Sequence, residues 1–220
     1  MRATTLRVLL LALLPLSLVA AFGGWAAITV EDLPDYVVAR QPLDLSFMVR
    51  QHGVRPLSGL SPTVEVKSGS RQLTVAAVPG NETGQYTARL TVPEAGRWTI
   101  TIHSGFGKSD VTLLPLPALA PGAPAPAALS DAERGRRLFV AKGCVTCHLH
   151  RAVNETSIAV GPELTTRRFA PEYLARFLAE PSAVIPPPAG EVGMPNLHLK
   201  PAEIAALTAF LNTAGQEATR

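Results

Sequence analysis

The sequence predicts two domains in one chain: an all-β sandwich of immunoglobulin-like architecture, then an all-α domain. Three observations predict this. From Ile28 to Leu114 apolar residues recur at every second position, the period of half-buried strands. From Ser130 to about Gly215 helix start signals and apolar stripes at helical spacing take over. Between the two runs a tract of proline and alanine that fits neither period.

In the first domain (27–114), Leu43, Leu45, Phe47 and Val49 alternate with polar residues, as do Val64 and Val66, then Leu73, Val75 and Ala77. Tyr86, Ala88, Leu90 and Val92 follow, then Trp98, Ile100 and Ile102, and Val111 and Leu113 close the series. Ile28-Thr29-Val30 reads as the start of one more strand. Gly53, Ser58-Gly59, Ser68-Gly69, Pro79-Gly80-Asn81, Gly84, Glu94-Ala95-Gly96 and Gly105 supply turns between them. Roughly seven short strands at near-regular spacing are the pattern of a sandwich, here without an inter-sheet cysteine pair. Trp98, on an alternating strand, is expected in the core. The segments Phe47-Met48-Val49-Arg50-Gln51-His52-Gly53 and Pro56-Leu57-Ser58-Gly59-Leu60 resemble the YtkA-like family of extracytoplasmic β-sandwiches. That resemblance implies a fold and carries little about function.

Met48, His52 and His103 are the soft and imidazole ligands of this domain, a set that would suit copper. Against a copper site, Met48 should point away from the inward-facing Phe47 and Val49, His52 falls at a turn, and no two of the three have tight ligand spacing. A plain interaction or packing domain is the competing expectation.

Residues 115–129, Pro/Ala-rich and uncharged, read as a polyproline II linker able to hold two domains up to roughly 40 Å apart. At the other end of the chain (1–26), Arg2 and Arg7 precede a stretch from Val8 to Val30 without a charge. This is a signal peptide cleaved after Ala21 or Ala26, or an uncleaved membrane anchor. Pro15 and Gly23-Gly24 argue for cleavage. Both readings put the body of the protein outside the cytoplasm, periplasmic or on the extracytoplasmic face of the membrane.

A net charge of +3 without any lysine or arginine run excludes a nucleic-acid-binding surface. The 2 cysteines both lie in one motif, so no disulfide framework supports the fold. No acid–base pair or nucleophile arrangement stands out, so no enzyme activity is expected of the chain alone.

The second domain (130–215, with a tail at 216–220) opens on a capping box, Ser130-Asp131-Ala132-Glu133, and its helix carries Gly135, Leu138 and Phe139 on one face. Ala170 to Pro181 forms a helix opened by Pro171, with a stripe of Tyr173, Leu174, Phe177 and Leu178. A last helix begins at Pro201 with Ile204, Leu207, Phe210 and Leu211 on its apolar face. Directly after the first helix stands Cys144-Val145-Thr146-Cys147-His148, a C-x-x-C-H pentapeptide, the signature of one covalently attached c-type haem. A redox C-x-x-C needs a thioredoxin-like context that is missing, and a structural zinc site needs a second ligand pair.

Gly135-x-x-Leu138-Phe139, the pentapeptide, Gly161-Pro162-Glu163-Leu164 and Gly193-Met194-Pro195-Asn196-Leu197 occur in that order, and this region resembles a class I monohaem cytochrome c. The resemblance implies first and last helices that cross closely at Gly135, with Phe139 and Phe210 packed at the crossing. It implies thioethers at Cys144 and Cys147, His148 as proximal iron ligand, and a Pro162 carbonyl that accepts the His148 ring N–H. It makes Met194 the sixth ligand, with His150 and His198 as rivals, and sets Arg167 or Arg168 against a haem propionate. A Met/His pair raises the iron potential and leaves no open position, so one-electron transfer to or from a redox protein partner is expected, as carrier or as subunit of a respiratory oxidoreductase. The alternative is a binding or sensing module whose sandwich holds copper or another protein. Arg134, Arg136, Arg137 and Lys142 form either a solvated face or a docking patch for an acidic partner.

Overall fold

Alternation becomes sheet throughout the first half of the chain. The computed structural model describes residues 24–213; most of the expected leader or anchor, with the expected cleavage point after Ala21, and the tail at 216–220 lie outside the described residues. The strands are β1 (Ala26–Val30), β2 (Val37–Val38), β3 (Pro42–Gln51), β4 (Arg55–Pro56), β5 (Thr63–Ser68), β6 (Arg71–Ala76), β7 (Val78–Pro79), β8 (Gln85–Thr91), β9 (Gly96–His103), β10 (Asp110–Thr112) and β11 (Leu116–Leu119). One sheet runs β1-β3-β8-β7 with β4 added to β3, and the other runs β2-β11-β9-β5-β6 with β10 added to β9. The inward residues Leu45, Phe47, Val49, Val64, Ala88 and Ile102 are wholly buried and fill the space between the sheets. Trp98 and Tyr86 are buried with their polar tips bonded: the Trp98 ring N–H donates to the Glu94 carbonyl (3.1 Å), and the Tyr86 hydroxyl donates to the Leu57 carbonyl (2.8 Å).

Three features depart from the sequence expectation. Leu73 is exposed, because β6 is the last strand of its sheet and its face has little to cover it. The tract expected as linker from residue 115 begins inside the sandwich. Leu116–Leu119 forms β11, antiparallel to β9 and parallel to β2, and Leu116 and Ala118 are buried despite Pro117 between them. The spacer proper therefore starts at Ala120. Thirdly, β1 is buried at all five positions, on both faces.

That last feature shows how the two halves meet. Ala26, Ile28 and Val30 join the sandwich core, so Ala27 and Thr29 face outward. Register pairs Thr29 with Met48 and Ala27 with Arg50. Met48 does point away from Phe47 and Val49, as expected, yet it is buried too. The helical half lies over this face and along the free edge of β1.

The helical half contains α1 (Asp131–Ala141), α2 (Cys144–Cys147), α3 (Pro171–Ala179), α4 (Pro181–Val184) and α5 (Pro201–Thr213). Among the described residues no helix is long and apolar enough to cross a membrane. Gly135 on α1 is buried against α5 so closely that a Cβ there would lie 1.9 Å from the Ala206 carbonyl oxygen. The crossing is packed by Phe139 and Phe210, ring centroids 5.6 Å apart, with Leu138, Leu174, Leu178, Leu207 and Leu211 around them. Val140 and Ala141, on the other side of α1, belong to the sandwich core.

Charge completes the contact. The loop after β1 offers Glu31, Asp32 and Asp35 to the helices. Arg134 pairs with the Asp35 carboxylate (2.9 Å), Arg137 donates to the Asp35 carbonyl (3.1 Å), and Lys200 pairs with Asp32. Lys142, only 5% exposed, donates to the Glu31 carbonyl (2.7 Å) and pairs with Glu203 (2.7 Å). The basic residues expected on a solvated face or docking patch are thus largely spent inside the molecule. Arg136 alone of the four turns elsewhere, donating to the Ala152 carbonyl.

Candidate functional site

α1 aims the motif. Ser130 caps it, its hydroxyl accepting the Glu133 backbone N–H at 3.2 Å. The reciprocal half of the capping box is not made, because the Glu133 carboxylate instead faces Arg137 (3.4 Å) and Arg136 (3.6 Å). The helix stops at Lys142, and Gly143 reverses the chain with φ 76°. A side chain is doubly excluded here: the conformation is left-handed, and a Cβ would sit 2.4 Å from the Ile28 carbonyl oxygen of β1. The sandwich edge therefore touches the residue that launches the motif.

α2 is a single turn, which places Cys144 and Cys147 on one side, three residues apart. His148 leaves it in extended conformation (φ −111°, ψ 138°). Its Nδ1 lies 2.9 Å from the Pro162 carbonyl oxygen, so Nδ1 carries the proton and Nε2 keeps its lone pair. Gly161 leaves room for this ring, since a Cβ there would be 2.4 Å from His148 Cε1. The 149–170 loop is tied back onto the motif by backbone bonds from Gly161 to the Cys147 carbonyl (3.0 Å) and from Ile158 to the Thr146 carbonyl (3.0 Å).

One residue that sequence reasoning did not single out, Asn154, ties this cradle together, and one that it weighed for another role, His150, packs beside it. Asn154 donates to the carbonyls of His148 (3.0 Å) and Thr156 (2.8 Å) and accepts the His150 N–H (2.9 Å). An Asn among loop residues gives no periodic signal. His150, weighed only as a rival ligand, is wholly buried between Phe139 and Phe210, with centroids 5.7 and 4.6 Å away. The other rival, His198, is exposed.

Both thiols are free. Cys144 keeps some solvent access, yet the protein packed around it pushes its thiol up to about 12, and burial raises Cys147 as well. Burial lowers His148, opposed by the Pro162 bond and reinforced by the nearby Arg167 charge. Two neutral S–H groups on one helical face beside a neutral imidazole with a free Nε2 fit a covalently bound haem: the thiols to bond its vinyl groups, the imidazole to ligate its iron.

Met194 lies in the loop before α5, half-buried against the helical core. Pro187 of the Pro186-Pro187-Pro188 segment stands behind it, 3.2 Å from where a Gly193 Cβ would be. Asn196 donates to the Glu180 carboxylate (2.8 Å). Arg167 and Arg168 are exposed, and their hydrogen bonds go to backbone carbonyls, of Glu163 (2.9 Å) and Arg167 (2.6 Å) respectively. The proposed copper ligands do not converge. Met48 faces the helical half, His52 is in the turn after β3, and His103 is in the other sheet with Nδ1 2.9 Å from the Asp110 carboxylate. Among the described residues no three His, Cys, Asp or Glu side chains gather to hold a metal ion.

The family model for cytochrome c matches residues 132–215. No curated protein matches the chain. Among solved structures, a superoxide reductase (neelaredoxin) from Ignicoccus hospitalis is 17% identical, covering 42% of this chain and 80% of that one with a TM-score of 0.29. The PKD domain from human VPS10 domain-containing receptor SorCS2 is 18% identical over 45% of this chain and 76% of that one, TM-score 0.24. Likenesses this slight carry no argument about the sandwich.

Proposed function

We propose, taking residues 132–215 as the cytochrome c domain they match and covalent haem c as its cofactor, that the protein is an extracytoplasmic one-electron carrier in which His148 and Met194 are the axial ligands. The observation that carries this reading is the 2.9 Å bond between His148 Nδ1 and the Pro162 carbonyl, which leaves Nε2 as the only ring atom free to bind iron. Met194 is the one methionine of the helical half, on a loop stiffened by Pro187. Bound haem c supplies reversible exchange between ferric and ferrous iron.

The chain's own residues then hold and shield. Cys144 and Cys147 would fix the group in orientation, Pro162 holds the imidazole, and Met194 would leave the iron no open position for oxygen or substrate. Arg167 and Arg168, exposed and bonded only to carbonyls, are the side chains that would meet a propionate. No catalytic activity is assigned. Service as a subunit or donor to a respiratory oxidoreductase is the role that suits a closed iron beside a basic-then-apolar leader. The sandwich, which resembles YtkA-like domains at residues 47–60, is given no metal.

The test is the ferric spectrum of the loaded protein. The intact chain should show thioether ligation, and Met194→Ala should abolish that signature while leaving the thioether-linked haem in place. A bis-histidine spectrum in the intact chain would overturn the assignment.

A further inference from the structure

We propose that the β-sandwich is a positioning element for the Met194 loop: the turn after β3 braces that loop, and Arg50 holds a fixed positive charge beside it. The inference rests on Met194 being the axial ligand.

The brace is visible in one cleft. A groove of about 270 Å³ between the two halves is lined on one side by Arg50, Gly53 and Val54, and on the other by Pro187, Met194 and Pro195 among others. Across it the turn faces the loop with space for one side-chain carbon between them. Gly53 is buried, and a Cβ there would lie 3.6 Å from Pro195 Cγ and 3.7 Å from Trp25 Cη2. Pro195 is the residue directly after the proposed ligand.

The turn is rigid enough to serve. His52 and Gly53 are both left-handed, with φ 53° and 77°. The turn is closed by backbone bonds from His52 to Trp25 (3.0 Å), Gly53 to Arg50 (3.2 Å) and Val54 to Gln51 (3.1 Å), and the Trp25 ring rests against His52 at 5.5 Å. The sandwich behind it is locked to α1 and α5 through Lys142, so the turn cannot drift away from the helical half as a unit. The two residues that flank Met194 are therefore each backed: Gly193 by Pro187 of its own domain, and Pro195 by the Gly53 turn of the other.

Arg50 adds charge. Its guanidinium donates to the Thr29 hydroxyl (3.3 Å), and Glu31 and Glu82 act on it without forming an ion pair. It is half-buried, so solvent screens it incompletely. Reduction adds one electron to the iron and lowers the charge of the site by one. A cation fixed beside the ligand loop disfavours the ferric form and raises the potential. A brace acts on the ligand bond: a thioether binds iron weakly, and a loop free to swing gives way to competing ligands.

Both effects can be read in the full-length, haem-loaded protein. Arg50→Gln should lower the midpoint potential while Arg50→Lys stays near the parent, with the thioether spectrum kept in both. Gly53→Val, forcing a β-branched residue into a left-handed turn, should push the turn off Pro195. Imidazole should then displace Met194 from ferric iron with about tenfold tighter apparent affinity. If Met194→Ala abolishes the thioether signature while Arg50→Gln and Gly53→Val leave potential and imidazole affinity unchanged, ligation stands and the brace is rejected. If Met194→Ala changes nothing, the ligation reading fails and the brace falls with it. Should Gly53→Val not fold, the comparison of Arg50→Gln with Arg50→Lys decides, because equal potentials refute the charge.

Discussion

Lys142 and Glu203 form a buried ion pair, Nζ to carboxylate oxygen 2.7 Å, with side chains 5% and 12% exposed. The pair joins the end of α1 to the start of α5, and Lys142 reaches on to the Glu31 carbonyl of the sandwich. The other Glu203 oxygen accepts the Lys200 N–H (2.9 Å), so one carboxylate also caps α5. Lys142→Met removes the cation and leaves the largely buried Glu203 carboxylate without its ion-pair partner. Breaking such a pair from one side should cost about 3–5 kcal/mol. Thermal or urea unfolding of Lys142→Met would measure it. The double change Lys142→Met with Glu203→Gln should recover a large part, since the stranded charge is the main penalty; equal losses in single and double variants would mean that the Glu31 bond dominates.

Gly135→Ala tests the helix crossing. Its Cβ would lie 1.9 Å from the Ala206 carbonyl oxygen and 2.8 Å from Phe210 Cβ, both too close to coexist. α1 and α5 must part, and overpacking of this kind costs about 1–3 kcal/mol or more. The melting temperature should fall, and an unchanged value would mean that the two helices are not in close contact at this crossing.

Much of this was legible in residue order. Alternation marked Leu45, Phe47, Val64, Tyr86, Trp98 and Ile102 as core because each strand has one dry face. The haem motif is legible as one pentapeptide, Cys144 to His148, and the crossing of α1 with α5 at Gly135 is what the resemblance to a class I cytochrome c implies. The sandwich-to-helix contact was not legible. Thr29 and Met48 look like outward residues of a sheet and become buried only because another domain sits on them. Arg134 and Lys142 look like surface charges, since their partners Asp35 and Glu203 are far away in sequence. Pro117 disguised β11 as spacer; proline is confined in sheets to positions where its missing N–H is not needed.

Gly161→Val addresses the histidine cradle. A branched side chain would occupy the position 2.4 Å from His148 Cε1 and force the ring off the Pro162 carbonyl. Without that bond the imidazole loses both its tautomer preference and its orientation. The expected result is haem still attached through both cysteines, weaker binding by His148 as the proposed axial ligand, and a raised potential, because an imidazole without its acceptor donates less to ferric iron. A partner lost around a metal-bound histidine typically costs about 10–100-fold in affinity, which sets the scale for exogenous ligand competition at His148. An unchanged spectrum and potential would show that the Pro162 contact is incidental.

The spacer is exposed from Ala120 to Ala128 and need not hold the two halves together. What holds them is the β1 edge against Gly143, the burial of Val140 and Ala141 in the sandwich core, and the acidic loop at Glu31, Asp32 and Asp35. A protease site placed at Ala123–Ala127 should therefore yield two fragments that still elute as one species. The Lys200–Asp32 pair is exposed and the Arg134–Asp35 pair only part-buried, so both are screened by salt and the latter adds about 1 kcal/mol at most. Molar salt alone should leave the fragments together. Gly143→Val is different, because it strikes the Ile28 carbonyl in the dry part of the contact and distorts the turn into α2 at the same time. It should separate the cleaved fragments at low salt. Two peaks from the cleaved parent chain would mean that the spacer, and not the buried face of β1, keeps the domains in register.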